Sequence, residues 1–151
     1  MDLIVWRHAE ARDATQGEHD LERPLTRHGK KQAAAIARWL NLWLPENIRI
    51  LCSPALRCEQ TVFALGREYK LRDELAPGYP AQRLLDAAGW PNARLPVLVV
   101  GHQPTLGQVI AKLLALKGEN CSVRKGAVWW LRGRQRDGHL QTSLVAVQPP
   151  E

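Results

Sequence analysis

Arg7-His8, Arg57 and Gly101-His102 are the residues whose types could do chemistry together. Arginine grips phosphate oxygens as a bidentate fork. Histidine can act as nucleophile, base or charged donor. Two of each in one place have the composition of a phosphoryl-transfer site that uses no metal. Each is a weak signal alone, and what joins them is position. Arg7-His8 ends the apolar run Leu3-Ile4-Val5-Trp6, and Gly101-His102 ends Pro96-Val97-Leu98-Val99-Val100. Arg57 follows Ile48-Arg49-Ile50-Leu51-Cys52 by one turn of chain. Short continuous apolar runs read as strands buried on both faces. In an open α/β sheet, ligands sit at the carboxyl ends of the strands. Three strands would thus bring four functional side chains to one sheet edge.

The intervening chain supplies the elements that position them. Residues 9–25 are polar and irregular and read as a loop able to cover the strand ends. Thr26 is an N-cap candidate for a helix with Ala33, Ile36, Ala37, Leu40 and Leu44 on one face, stopped by Pro45. Ser53-Pro54 reads as N-cap and first helical residue, which puts Arg57 in a first turn beside free backbone N–H groups. Leu71-Arg72-Asp73 suggests a short strand, and Ala81, Leu84, Leu85 and Ala88 a short helix closed by Gly89. A helix after Pro104 carries Leu106, Val109, Ile110, Leu113 and Leu114, with Gly118 past its end. Residues 126–132 and 140–147 read as an antiparallel hairpin at a sheet edge, with 133–138 as its turn. The expected fold is α/β: a three-layer α/β/α sandwich with a mostly parallel sheet and an antiparallel C-terminal hairpin. Residues 1–151 are expected to form a single domain.

The chain has 151 residues, 45% of them hydrophobic, enough for a substantial core. No stretch approaches the roughly 20 apolar residues of a membrane span, and no secretory leader pattern opens the chain. A cytoplasmic protein with no membrane partner is the expectation. Cys52, Cys58 and Cys121 form no CxxC pair and are expected as reduced thiols. The net charge of +6 allows an anionic partner. The basic residues are scattered, however, and no aromatic-interleaved stripe points to nucleic acid.

As a set, these segments resemble the histidine phosphatase superfamily, also called phosphoglycerate mutase-like, and within it the small SixA-type phosphohistidine phosphatases. Arg7-His8-Ala9 stands for the Arg-His-Gly hallmark. It is followed by Arg23-Pro24-Leu25-Thr26 with Gly29, and by Ser53-Pro54 with Arg57 and Gln60-Thr61. Glu74-Leu75 with Pro77 and Gly101-His102 with Pro104 complete the pattern. The resemblance implies that His8 is the nucleophile that becomes phosphorylated, with Arg7, Arg57 and His102 around the phosphoryl group. It implies a phosphatase for phosphohistidine, on a phosphorylated protein such as a phosphotransfer domain. A small phosphorylated substrate, or a non-catalytic phosphate- or nucleic-acid-binding module, is the alternative. No cofactor and no metal is expected.

Two departures matter. Ala9 replaces the usual glycine, and Gln103 stands where the acid-phosphatase branch carries an aspartate as proton donor. Glu74 and Glu10 are left as candidates for the general acid. Two other chemistries are set aside. Cys52 to Arg57 has four intervening residues and no glycine, unlike the Cys-x5-Arg loop of tyrosine phosphatases. His8-Ala9-Glu10 lacks the Pro-Cys-x-x-Cys partner of a zinc deaminase.

Overall fold

The computed structural model describes residues 1–150. Six strands form one sheet: β1 (Asp2–Arg7), β2 (Arg49–Cys52), β3 (Lys70–Leu71), β4 (Val97–Gly101), β5 (Val128–Arg136) and β6 (His139–Gln148). Their spatial order is β3-β2-β4-β1-β5-β6. β1, β2, β3 and β4 run parallel, and β5 and β6 are antiparallel additions at one edge. Four helices complete the chain: α1 (Arg27–Trp43), α2 (Leu56–Phe63), α3 (Ala81–Ala88) and α4 (Thr105–Leu113).

Side chains alternate across the pleat, so each apolar run feeds two cores. Ile4, Trp6, Ile50, Cys52, Leu98 and Val100 pack under Ile36 and Leu40 of α1 and Cys58 and Val62 of α2. Leu3, Val5, Leu51, Val97 and Val99 pack under Leu84 and Leu85 of α3 and Leu106, Val109 and Ile110 of α4. That burial on both faces is why the runs are continuous rather than alternating. The result is the expected three-layer α/β/α sandwich. Among the described residues no helix is long and apolar enough to cross a membrane.

The parallel register aligns the strand ends. Arg7 stands opposite Gly101, and Cys52 opposite Val100. The ladder runs one step further, with His8 N donating to Gly101 O (3.2 Å) and Ser53 N to Val100 O (3.0 Å). His8, Ser53 and His102 thus leave the sheet side by side.

Thr26 caps α1 as its sequence suggests, its Oγ1 accepting from Gly29 N at 2.9 Å. Four details differ from the sequence expectation. α2 begins at Leu56 with Ala55 as N-cap, not at Ser53-Pro54. The Ser53 hydroxyl accepts from Ala55 N (3.2 Å) but also pairs with the His102 ring, and so forms a turn before the helix. The short strand lies at Lys70–Leu71 rather than 71–73, and Asp73–Leu75 is a turn of 3-10 helix. α4 stops at Leu113, well before Gly118. Ala115 supplies the left-handed residue (φ 52°), and Leu116 N closes back onto Ala111 O at 2.9 Å. The hairpin turn is only Asp137-Gly138, both left-handed, as a two-residue turn requires. Gly133 to Arg136, read as turn residues for their polarity, belong to β5 because β6 pairs with them beyond the sheet's covered part.

Candidate active site

His8 is the first residue after β1 and is buried at 6% exposure. Its Nδ1 lies 2.8 Å from the Ala9 carbonyl oxygen. A carbonyl only accepts, so Nδ1 carries the proton and Nε2 keeps its lone pair. Burial, aided by the nearby Arg57 and Arg7 cations, holds the His8 pKa down at about 4. The ring is therefore neutral near pH 7. The chain just beyond it is pinned from both helices of that face. Ala9 N donates to Thr61 Oγ1 of α2 (3.0 Å), and Glu10 N to Gln32 Oε1 of α1 (3.0 Å). Ala9 is fully buried against Leu25 and Ala33, so a methyl fits where the family usually has glycine.

His102 faces His8, with ring centroids 5.3 Å apart. Its Nε2 is 2.8 Å from Ser53 Oγ, and its Nδ1 is 3.4 Å from Arg57 Nη2. A guanidinium can only donate, so Nδ1 accepts and the ring proton sits on Nε2, directed to Ser53. Burial first, then His8 and Arg57, lower the His102 pKa to about 3.

The two arginines are held by different parts of the chain. Arg7 Nη1 donates to Val123 O at 2.8 Å, on the segment that leads into β5. Arg57, on the first turn of α2 and only 3% exposed, donates through Nη1 to Asp20 O (2.9 Å) and through Nη2 to Asp20 Oδ2 (3.1 Å). The Nε–H of Arg7 and that of Arg57 are buried with no protein acceptor. Both arginines line one cleft, whose positive charge favours an oxyanion.

That cleft has a volume of about 310 Å³, and Arg7, His8, Arg57 and His102 all line it. Arg23, Gln103 and Lys125 join them. Larger hollows exist, one of about 710 Å³ between the end of α4 and the β5–β6 hairpin, but its lining holds no histidine, cysteine or carboxylate. Among the described residues no His/Cys/Asp/Glu group is arranged to hold a metal.

The acid candidates lie elsewhere. Glu74 does not line the cleft, and its carboxylate is held by Arg72, which keeps it below the usual carboxylate range. Glu10 Oε1 accepts from Thr26 Oγ1 at 2.7 Å, against the start of α1. Gln103 is committed on both sides, accepting from Gly107 N (2.6 Å) and donating to Cys121 O (2.9 Å). The one carboxylate in the cleft's lining is Asp13, exposed on the 9–25 loop. Sequence reasoning passed over it, as it did Asp20, because that loop is rich in acidic residues and carries no spacing to single one out. The thiols are inert in this setting: burial pushes Cys58 up to about 12 and Cys52 higher still.

The model of the histidine phosphatase superfamily (branch 1) matches residues 3–78, half of the chain. The chain belongs to the histidine phosphatase superfamily. Phosphohistidine phosphatase SixA of Escherichia coli is 32% identical over 122 residues, covering 75% of this chain and 74% of that protein. An uncharacterized Picosynechococcus protein is 31% identical across 100% of this chain and 98% of its own length. A solved structure of the protein histidine phosphatase SixA, complexed with tungstate, superposes with a TM-score of 0.77 at 26% identity, covering 99% of this chain and 97% of that one. This histidine phosphatase therefore has SixA-like relatives along most of its length.

Proposed function

We propose that this phosphatase hydrolyses phosphohistidine displayed on another protein, through a phosphorylated His8. The observation that carries the reading is the hydrogen bond from His8 Nδ1 to the Ala9 carbonyl, which leaves Nε2 unprotonated at the edge of the cationic cleft. The Nε2 lone pair attacks phosphorus, a P–Nε2 bond forms, and the P–N bond to the substrate imidazole breaks. The departing imidazole leaves neutral, its proton coming from solvent or from the phosphoramidate itself. Water then attacks phosphorus, the P–Nε2 bond breaks, and inorganic phosphate departs. Arg7 and Arg57, which line the cleft, stabilise charge on the equatorial oxygens. The relative bound to tungstate, a tetrahedral oxyanion, fits a site of this kind.

The acid side of the chemistry favours phosphohistidine. An alkoxide is a far more basic leaving group than imidazole and needs a proton donor. Glu74, Glu10 and Gln103 are each held by other partners. The second reading, a small phosphomonoester as substrate, rests on Asp13, which lines the cleft and could donate there.

The phosphoenzyme is open to direct trapping. Brief reaction with a phosphohistidine-bearing protein, followed by alkaline quench, should leave an acid-labile, base-stable phosphate on His8. The His8→Ala variant should lose that label and at least 10³-fold in turnover, while still binding tungstate through Arg7 and Arg57. Label on Cys52 or Cys58, or turnover by the alanine variant, would contradict the nucleophile.

A further inference from the structure

Asp20 lies outside the lining of the cleft, yet it touches two residues that belong to it. Its Oδ1 accepts from Arg23 Nε at 2.9 Å, and its Oδ2 from Arg57 Nη2 at 3.1 Å. Its backbone oxygen takes Arg57 Nη1 at 2.9 Å. One exposed residue on a single turn of 3-10 helix (Asp20–Glu22) thus ties two guanidinium groups together. Arg23 is also held through Nη1 by Arg12 O at 2.9 Å, and Arg12 in turn is clasped bidentately by Glu18. What this network leaves without a protein acceptor is telling. Arg57 keeps its buried Nε–H, and among the described residues no partner takes Arg23 Nη2. Both arginines line the cleft, and both are held by the same carboxylate.

We propose that Asp20 is a positioning residue for the phosphoryl cradle: its carboxylate fixes Arg57 and Arg23 as a pair and so locks the 9–25 loop onto the reacting group. It does not touch substrate, so its action is through the two arginines. A shared carboxylate suits this task. It offers one oxygen to each fork and holds two like charges close together against their repulsion. The proposal rests on the phosphoryl site described above, but not on which phosphorylated molecule occupies it.

The test is a coupled set of variants read by oxyanion binding and by turnover. Tungstate affinity is measured by calorimetry, and kcat/KM with a phosphohistidine protein, for the wild type, Asp20→Ala, Asp20→Glu, Arg57→Ala and the Asp20→Ala/Arg57→Ala pair. Asp20→Ala should weaken tungstate and lower kcat/KM on the order of 10²-fold, the scale expected for a misplaced positioning group, in protein that still unfolds in one cooperative transition. Asp20→Glu should recover part of that loss. In the Arg57→Ala background the same Asp20→Ala change should have less than a third of its effect, since its main lever is gone. Full additivity of the two substitutions, an unchanged Asp20→Ala, or a gain in tungstate affinity on removing the carboxylate would each overturn the role. A wild-type protein that binds no tungstate would instead overturn the phosphoryl site itself, which separates the two failures.

Discussion

His8 and His102 share one buried corner with two permanent cations, and both stay neutral there because charging either would place a third positive group out of water. This has a consequence for stability. The unfolded chain binds protons on histidine near pH 6.5, whereas the folded values are about 4 for His8 and about 3 for His102. Between those limits the unfolded state holds more protons, so stability rises with pH. The stabilisation should be complete above about pH 6.5 and should decline as the pH falls through about 4. Denaturant unfolding at intervals from pH 7.5 to 4.5 measures it directly. The double variant His8→Gln/His102→Gln should flatten the slope in that window, and a wild-type curve already flat there would contradict the buried neutral pair. Arg7, His8 and His102 were legible in the sequence because they stand where apolar runs end, and Arg57 because it follows a third such run by a short turn. Ser53, Thr61 and Asp20 were not assigned their roles, for a physical reason. Their work is to fill the hydrogen bonds of His102, Ala9 and Arg57, and such pairings depend on where helices and loops land in space.

Elements fix the distances that residue types cannot. The 9–25 loop begins directly after His8 and ends at Leu25, just before the Thr26 cap, and its Glu10 carbonyl lies close against Gly29 of α1. A Cβ on Gly29 would sit 2.0 Å from the Glu10 carbonyl oxygen, a backbone atom that cannot swing aside. Gly29→Ala should push the loop off α1 and break the Glu10 N to Gln32 bond with it. Overpacking of this kind typically costs about 1–3 kcal/mol. It should also lower kcat/KM, since the loop carries Asp20 and Arg23 to the cleft. A thermal melt and an activity assay on the purified variant settle the point, and wild-type values in both would refute the contact. The sequence indicated the six strands and four α-helices but misplaced several boundaries, three of them where a partner in the fold or an earlier turn residue overrode a local signal. Ser53 reads as a cap until His102 claims its hydroxyl. Gly118 reads as a helix stop until Ala115 takes the left-handed position first. Gly133 to Arg136 read as a turn until β6 pairs with them.

At the scale of the whole molecule, a net charge of +6 surrounds a cleft lined by Arg7, Arg23, Arg57 and Lys125. Such a surface draws in anionic partners and speeds their encounter. The cleft, about 310 Å³, is of a size for a phosphoryl group and part of the group that bears it. The proposed preference for phosphohistidine rests on leaving-group chemistry. A general acid contributes ~10²–10⁴-fold, and an alkoxide leaving group depends on one far more than an imidazole does. The most direct test is the ratio of kcat/KM for a phosphohistidine-bearing phosphotransfer protein to that for a panel of alkyl phosphomonoesters, serine and sugar phosphates among them. The expected ratio exceeds ~10² in favour of the phosphohistidine protein. An alkyl phosphomonoester turned over with equal or higher efficiency would contradict the proposed substrate class and would make Asp13 the proton donor to test.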